Sequence, residues 1–165
     1  MEISRFSTHY KVRKITETDL EQVLALYQTN PLYFECFPPL PSLESLANDL
    51  VDCPPGKEPT DKYFIGFWDK ERLVAILDLI DGYPTEDTAY LGLFMVDANR
   101  SGQGLGSMIM AELLHQLATR FKKVRLGYVE NNPQSSYFWS KVGFYPTGEI
   151  KEMAGRRIVL SEYYL

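Results

Sequence analysis

Apolar positions along the chain switch between a spacing of two and a spacing near 3.6, and the switches mark its elements. Tyr10 to Ile15 alternates as a strand does. After Thr18 the spacing turns helical, with Leu20, Val23, Leu24 and Tyr27 on one face and Thr16 or Thr18 as N-cap. The proline-rich stretch from Asn30 to Leu40 reads as a loop or short helix carrying Tyr33, Phe34 and Phe37 as exposed aromatics. Ser42 to Val51 reads as a helix capped by Ser42, and Cys53 to Thr60 as a turn. Tyr63–Trp68, Leu73–Ile80 and Ala89–Val96 read as strands, parted by the turns Asp69-Lys70-Glu71 and Asp81-Gly82-Tyr83-Pro84 as in antiparallel hairpins.

From Gly104 a long helical stripe runs through Leu105, Ile109, Leu113, Leu117 and Phe121, apolar enough to pack on a sheet. Val124–Val129 is the next strand. Asn132-Pro133 opens a short helix and Gly143 closes it. Phe144–Ile150 and Arg157–Tyr163 are the closing strands around Met153-Ala154-Gly155-Arg156. The order predicts an α/β fold with a mixed sheet, in one domain over residues 1–165.

Composition narrows the function classes. Hydrophobic residues make up 45% and charged residues 24%, as in an ordered globular chain. With 17 Lys+Arg against 22 Asp+Glu, the net charge of −5 disfavours nucleic acid and suits small cations. Cys36 and Cys53 have no metal-binding spacing, so no metal is expected. No signal peptide and no membrane-length apolar run is visible. The expected setting is cytoplasmic, without a membrane partner.

The turn Ser101-Gly102-Gln103-Gly104-Leu105-Gly106-Ser107 carries the chemistry. It follows a strand and opens a helix, so free N–H groups and the helix dipole converge there on an anion. The Gly-Lys-Ser/Thr of a P-loop is missing, and G-x-G-x-G after antiparallel strands is not a dinucleotide fingerprint. Taken alone, the turn also suits a tight connection that binds nothing.

The turn resembles the Arg/Gln-x-x-Gly-x-Gly/Ala signature of the GNAT (GCN5-related N-acetyltransferase) superfamily, with Ser101 at the first position and Arg100 one residue earlier. A second likeness is Asn132 followed by Phe138-Trp139-Ser140-Lys141-Val142-Gly143-Phe144, where Trp139 holds the family's Tyr position. Val12 to Leu20 resembles the family's first strand and helix, so the likeness spans nearly the whole chain. It implies a mostly antiparallel sheet of about seven strands with about four helices, strands four and five splaying apart. It implies acetyl-CoA as co-substrate. Its pantetheine arm would lie on Phe94, Met95 and Val96, its pyrophosphate on Ser101 to Ser107, with Asn132 and Trp139 beside the arm and the thioester. Asn132 is equally an N-cap, and Trp139 equally a core residue.

The implied reaction is direct acetyl transfer to an amine. A lysine-like ammonium must first lose a proton, at a cost of roughly 4–5 kcal/mol at neutral pH. A base, desolvation, or a water chain can lower that cost, and a backbone N–H near Val96 would stabilise the developing oxyanion. The family's base positions fall near Tyr90 and on Gly127, neither a carboxylate. Asp78, Asp81 and Glu130 remain, and Asp78, set among Ile76, Leu77, Leu79 and Ile80, is the one whose burial would raise its pKa. The indole of Trp139 does not titrate, and Tyr137 lies about 200° round the helix from it. The acid is thus another tyrosine, water, or absent. Tyr33, Phe34, Glu35 and Phe37, with the last strands, would line the acceptor site for an organic cation, or else pack the helix pair. A small-molecule amine N-acetyltransferase is the leading reading. A peptide or protein N-terminal acetyltransferase and a silent acyl-CoA-binding module are its alternatives, and a homodimer is a further expectation from the family.

Overall fold

The computed structural model describes residues 1–165. Seven strands form one sheet: β1 (Lys11–Lys14), β2 (Lys62–Asp69), β3 (Arg72–Asp81), β4 (Thr88–Val96), β5 (Lys123–Val129), β6 (Tyr145–Met153) and β7 (Arg156–Tyr164). Their spatial order is β1-β2-β3-β4-β5-β7-β6. All neighbours run antiparallel except β4 and β5, which are parallel. Only that pair is joined by a crossover helix, as a parallel pair requires.

Five helices accompany the sheet: α1 (Leu20–Gln28), α2 (Pro31–Cys36), α3 (Leu43–Asp49), α4 (Leu105–Leu117) and α5 (Pro133–Lys141). This is one more than expected, because Asn30–Leu40 holds a formed helix with Pro31 at its first position. Tyr33, Phe34 and Phe37 are half-buried rather than exposed. Tyr33 packs edge-on against Phe34, which in turn meets Tyr27 of α1.

Strands β2 and β3 are buried along most of their length, since helices cover both faces. One face packs on α4 through Ile109, Leu113 and Leu117. The other packs on α1 and α3 through Val23, Tyr27 and Leu46. β6 is exposed throughout.

Two carboxylates tie the edges of this framework. Asp19 accepts both Arg13 guanidinium nitrogens, at 2.6 and 2.8 Å, and the Thr16 N–H at 2.9 Å. Arg13 lies 3.8 Å over the Trp68 ring. Glu112 of α4 accepts from Ser7, Thr8 and His9. The Arg13 hydrogen bond outweighs burial and holds Asp19 down at about 2. At Glu112, burial opposes the charge, but the hydrogen bonds from Thr8, Ser7 and His9 together bring its pKa to about 2. Both folded-state values lie below the unfolded ones. Their stabilisation is therefore complete above about pH 4.5 and is lost as pH falls toward 2. The melting temperature should drop across that window, and less steeply in a D19N/E112Q variant. Equal slopes for the two proteins would contradict these roles.

Candidate functional site

The parallel β4–β5 pairing runs from Thr88–Lys123 to Leu91–Leu126 and stops there. Beyond it both strands continue, to Val96 and Val129, without pairing to each other. A bulge helps to part them. Leu79 faces Leu91 and Asp78 faces Leu93, so Gly92 has no partner on β3. The gap is a cavity of about 310 Å³ lined by Tyr90 to Phe94, Leu126 to Val129, Asn132 and Trp139, among others.

At the end of β4 the glycine turn leads into α4. Gly102 and Gly104 have φ of +78° and +76°, and Gly104 is the N-cap. A Cβ on either would meet nothing within 4 Å, so the turn is open to solvent. No backbone hydrogen bond is donated by the N–H groups from Gly102 to Ser107, and the first turn of α4 holds no acid. Such a row of free donors suits a phosphate. Gly106 serves packing instead: a Cβ there would come within 3.1 Å of the Phe138 ring. Arg100 turns away from the loop, with both terminal nitrogens 3.0 Å from Asp69.

Asn132 is buried. Its Oδ1 caps α5 by accepting the Ser135 N–H at 3.0 Å, while its amide NH2 has no protein partner. It is thus both an N-cap and part of the cavity wall. Trp139 is 8% exposed and packs between Phe94, Phe138 and Phe144, also on that wall. Tyr137 is 71% exposed and points elsewhere. Of Phe94, Met95 and Val96, only Phe94 lines the gap. Met95 is buried against α1 and α3, and the Val96 carbonyl accepts Asn30 Nδ2 at 2.9 Å. The Asp97 N–H bonds Val74 of β3, so by alternation the N–H groups of Met95 and Leu93 also face β3, and that of Phe94 faces the gap.

A second cavity of about 570 Å³ lies under α2 and α3 on the other side of β4. The two cavities share Tyr33, Phe37, Tyr90, Gly92 and Leu93, so they meet at the bulge. Asp78 lines the second cavity beside Gly92, where a Cβ would come within 3.0 Å of its Oδ2. Glycine at 92 makes room for this carboxylate. Lys62 donates to the same oxygen at 2.8 Å, and the buried Oδ1 has no partner. Burial raises the Asp78 pKa; Lys62 opposes that rise, and the charges of Asp49 and Asp52 add to it. Burial, with Tyr83 nearby, also raises the Tyr90 phenol, and burial alone pushes Tyr33 up to about 12.

The other expected acids stand apart. Asp81 is paired with Arg120 and Glu130 with Arg157, and neither lines either of these two cavities. Glu35 is exposed on α2 and lines neither cavity. The closing strands bring Met153 and Ile158 to the β4–β5 gap, not to the Asp78 cavity. Acidity in the Asp78 cavity comes instead from Asp49 and Asp52. Asp49 had a signal in the sequence, being three residues past the buried Leu46 on the inward side of α3. No group of three or more His, Cys, Asp or Glu side chains is placed to hold a metal. No helix is long and apolar enough to cross a membrane.

A splayed parallel pair ending in a glycine turn on a helix is the architecture of an acyltransferase, and comparison with known proteins agrees. The family model of the acetyltransferase (GNAT) family matches residues 21–144. The chain belongs to that family. Its fold is similar to an acetyltransferase from Thermus thermophilus, with TM-score 0.76 and 22% identity over 94% of this chain and 96% of the other. It is also similar to the ribosomal-protein-S18-alanine N-acetyltransferase from Escherichia coli (TM-score 0.66, 16% identity, 93% and 92% covered). A third likeness is to a PaiA N-acetyltransferase from Thermoplasma acidophilum in complex with coenzyme A (0.64, 16%, 93% and 98%). Comparison with curated proteins gives no significant sequence match.

Proposed function

We propose that this protein transfers the acetyl group of acetyl-CoA to a primary amine of a small molecule, by direct attack with both substrates bound. One observation carries the reading. The gap between β4 and β5 meets a carboxylate-bearing cavity at Gly92, and its strand runs on into a turn with free N–H donors.

Acetyl-CoA supplies the acetyl thioester. The N–H groups of Gly102 to Ser107 hold its pyrophosphate, and the unpaired edge of β4 holds the pantetheine arm. The free amide of Asn132 hydrogen-bonds that arm, and Trp139 walls the slot. Asp78 takes the proton of the incoming ammonium, directly or through one water. Its raised pKa brings it closer to the amine's and makes it a better base than an exposed aspartate. As the C–N bond forms, the N–H of Phe94 receives the charge on the carbonyl oxygen; the C–S bond then breaks and the nitrogen gives its second proton to water, leaving a neutral amide.

Tyr90, at the junction, donates a hydrogen bond to the departing sulfur without giving up its proton. A thiol near pKa 8.5 leaves as thiolate more readily than a raised phenol ionises. Thiol release from acetyl-CoA over a panel of small amines and short peptides tests the reading. Release with small amines, and an acetyl mass gain on them, is the expected result. Release with peptides alone would replace it with N-terminal acetylation, and acetyl-CoA binding without release on any acceptor would replace it with a silent module.

A further inference from the structure

The charge in the Asp78 cavity exceeds what one amine needs. Asp49, Asp52 and Asp78 line it against a single cation, Lys62. The Lys62 side chain is 5% exposed, and its ammonium donates to Asp78 Oδ2 and to the Asp52 carbonyl, each at 2.8 Å. Its charge is thus committed to Asp78. The side-chain oxygens of Asp49 and Asp52 have no hydrogen-bond or ion-pair partner. Asp49 is half-buried, and burial moves its pKa up, with Lys62 opposing and Asp52 adding.

Aromatic rings complete the lining. Tyr27, Tyr33 and Phe34 line the same cavity, as does Phe37, whose ring already carries the Arg156 guanidinium 5.1 Å from its centroid. Unpaired carboxylates in a cavity lined by aromatic rings form a site for an organic cation. This subsite lies off the junction, because Asp49 and Asp52 line the Asp78 cavity and not the β4–β5 gap. Asp78, by contrast, abuts Gly92, which lines both. Its Oδ1 is shut off from solvent with no partner of its own.

We infer that the acceptor is a small dication, in which one primary amine is acetylated at Asp78 while a second cationic centre is held by Asp49 and Asp52. The inference rests on the transferase reading above and specifies the substrate class of the same cavity. In the reaction one ammonium loses a proton to Asp78, which passes it to water, and the free amine attacks the thioester carbonyl. As the C–N bond forms and the C–S bond breaks, the nitrogen gives up its second proton to water, leaving a neutral amide, and the thiolate leaves with coenzyme A. The product keeps one positive charge where the substrate had two. It therefore binds this acidic cavity less tightly and leaves it.

The test is thiol release by the full chain at saturating acetyl-CoA. Terminal diaminobutane and diaminopentane are compared with n-butylamine and n-pentylamine. Each diamine should exceed its monoamine in kcat/KM by more than about tenfold, chiefly through KM, since one well-placed charge pair is worth about that factor. Added salt should shrink the ratio. The D49N/D52N variant should lose most of it through a higher diamine KM. D52N alone, at an exposed position, should move in the same direction if the double variant melts early. A ratio near one, with both amines acetylated, overturns the dication and leaves transfer to amines standing. A ratio that survives in the variants overturns the assignment to Asp49 and Asp52. Acetyl-CoA binding with no release on either amine overturns both this inference and the transferase reading.

Discussion

Replacing Asp78 by asparagine is expected to lower kcat/KM for the amine by about 100- to 1,000-fold, the usual worth of a positioned general base. Asparagine keeps an oxygen that can accept from Lys62, and the Asp52 carbonyl still accepts from it. The buried ammonium loses its counter-charge, however, so the melting temperature should fall, and activity is compared below the variant's transition. Acetyl-CoA affinity should not change, because Asp78 lies outside the β4–β5 gap. The pH profile separates a lost base from a lost contact. Asp78 acts only when deprotonated, so kcat/KM in the parent protein falls as pH drops through its raised pKa. In the asparagine variant that acid limb should vanish. In Lys62→Met the limb should move to higher pH, since the lysine is the largest influence holding the Asp78 pKa down. A limb that stays put in both variants would assign the proton to another group.

Gly104→Asp should weaken acetyl-CoA binding by about 100-fold or more, as expected for a carboxylate set a few ångströms from a pyrophosphate. The position suits such a test. A Cβ there meets nothing within 4 Å, and aspartate tolerates the left-handed backbone at φ +76° better than most residues. The melting temperature should therefore fall little while the acetyl-CoA KM rises steeply. Gly104→Asn, with the same shape and no charge, should cost far less. Equal losses for the two would mean that the glycine matters for its backbone and not for an anion beside it.

Much of the framework was legible in the linear chain. Strand periodicity located every strand to within about three residues of its ends, because β2, β3 and β4 are bounded by turn residues that cannot continue a strand. Lys70 and Gly82, for example, have positive φ in those turns. Asn132, Pro133 and Gly143 likewise marked the start and end of α5.

The acceptor side was less legible. Tyr33 and Phe37 were visible as aromatics of the proline-rich stretch, and their rings lie 6.4 Å apart, with Tyr33 in α2 and Phe37 just past its end. Glu35, midway between them, was assigned to the same pocket and instead faces solvent. Two positions along a helix turn a side chain by about 200°. Lys62, which precedes the periodic core of β2, gave no sign that its ammonium would be buried against a residue sixteen positions away.

Local chemistry alone therefore determined the elements, the glycine turn and its free donors, because these depend on neighbours a few residues apart. It also carried the family likeness. What only the tertiary structure decided was where strands β4 and β5 part, which aspartate stands at that junction, and which carboxylates remain without a cation. These depend on β2, β3, β4, α2 and α3 meeting in space. Burial and pairing across such distances set the charge of each group, and no spacing along the chain encodes them.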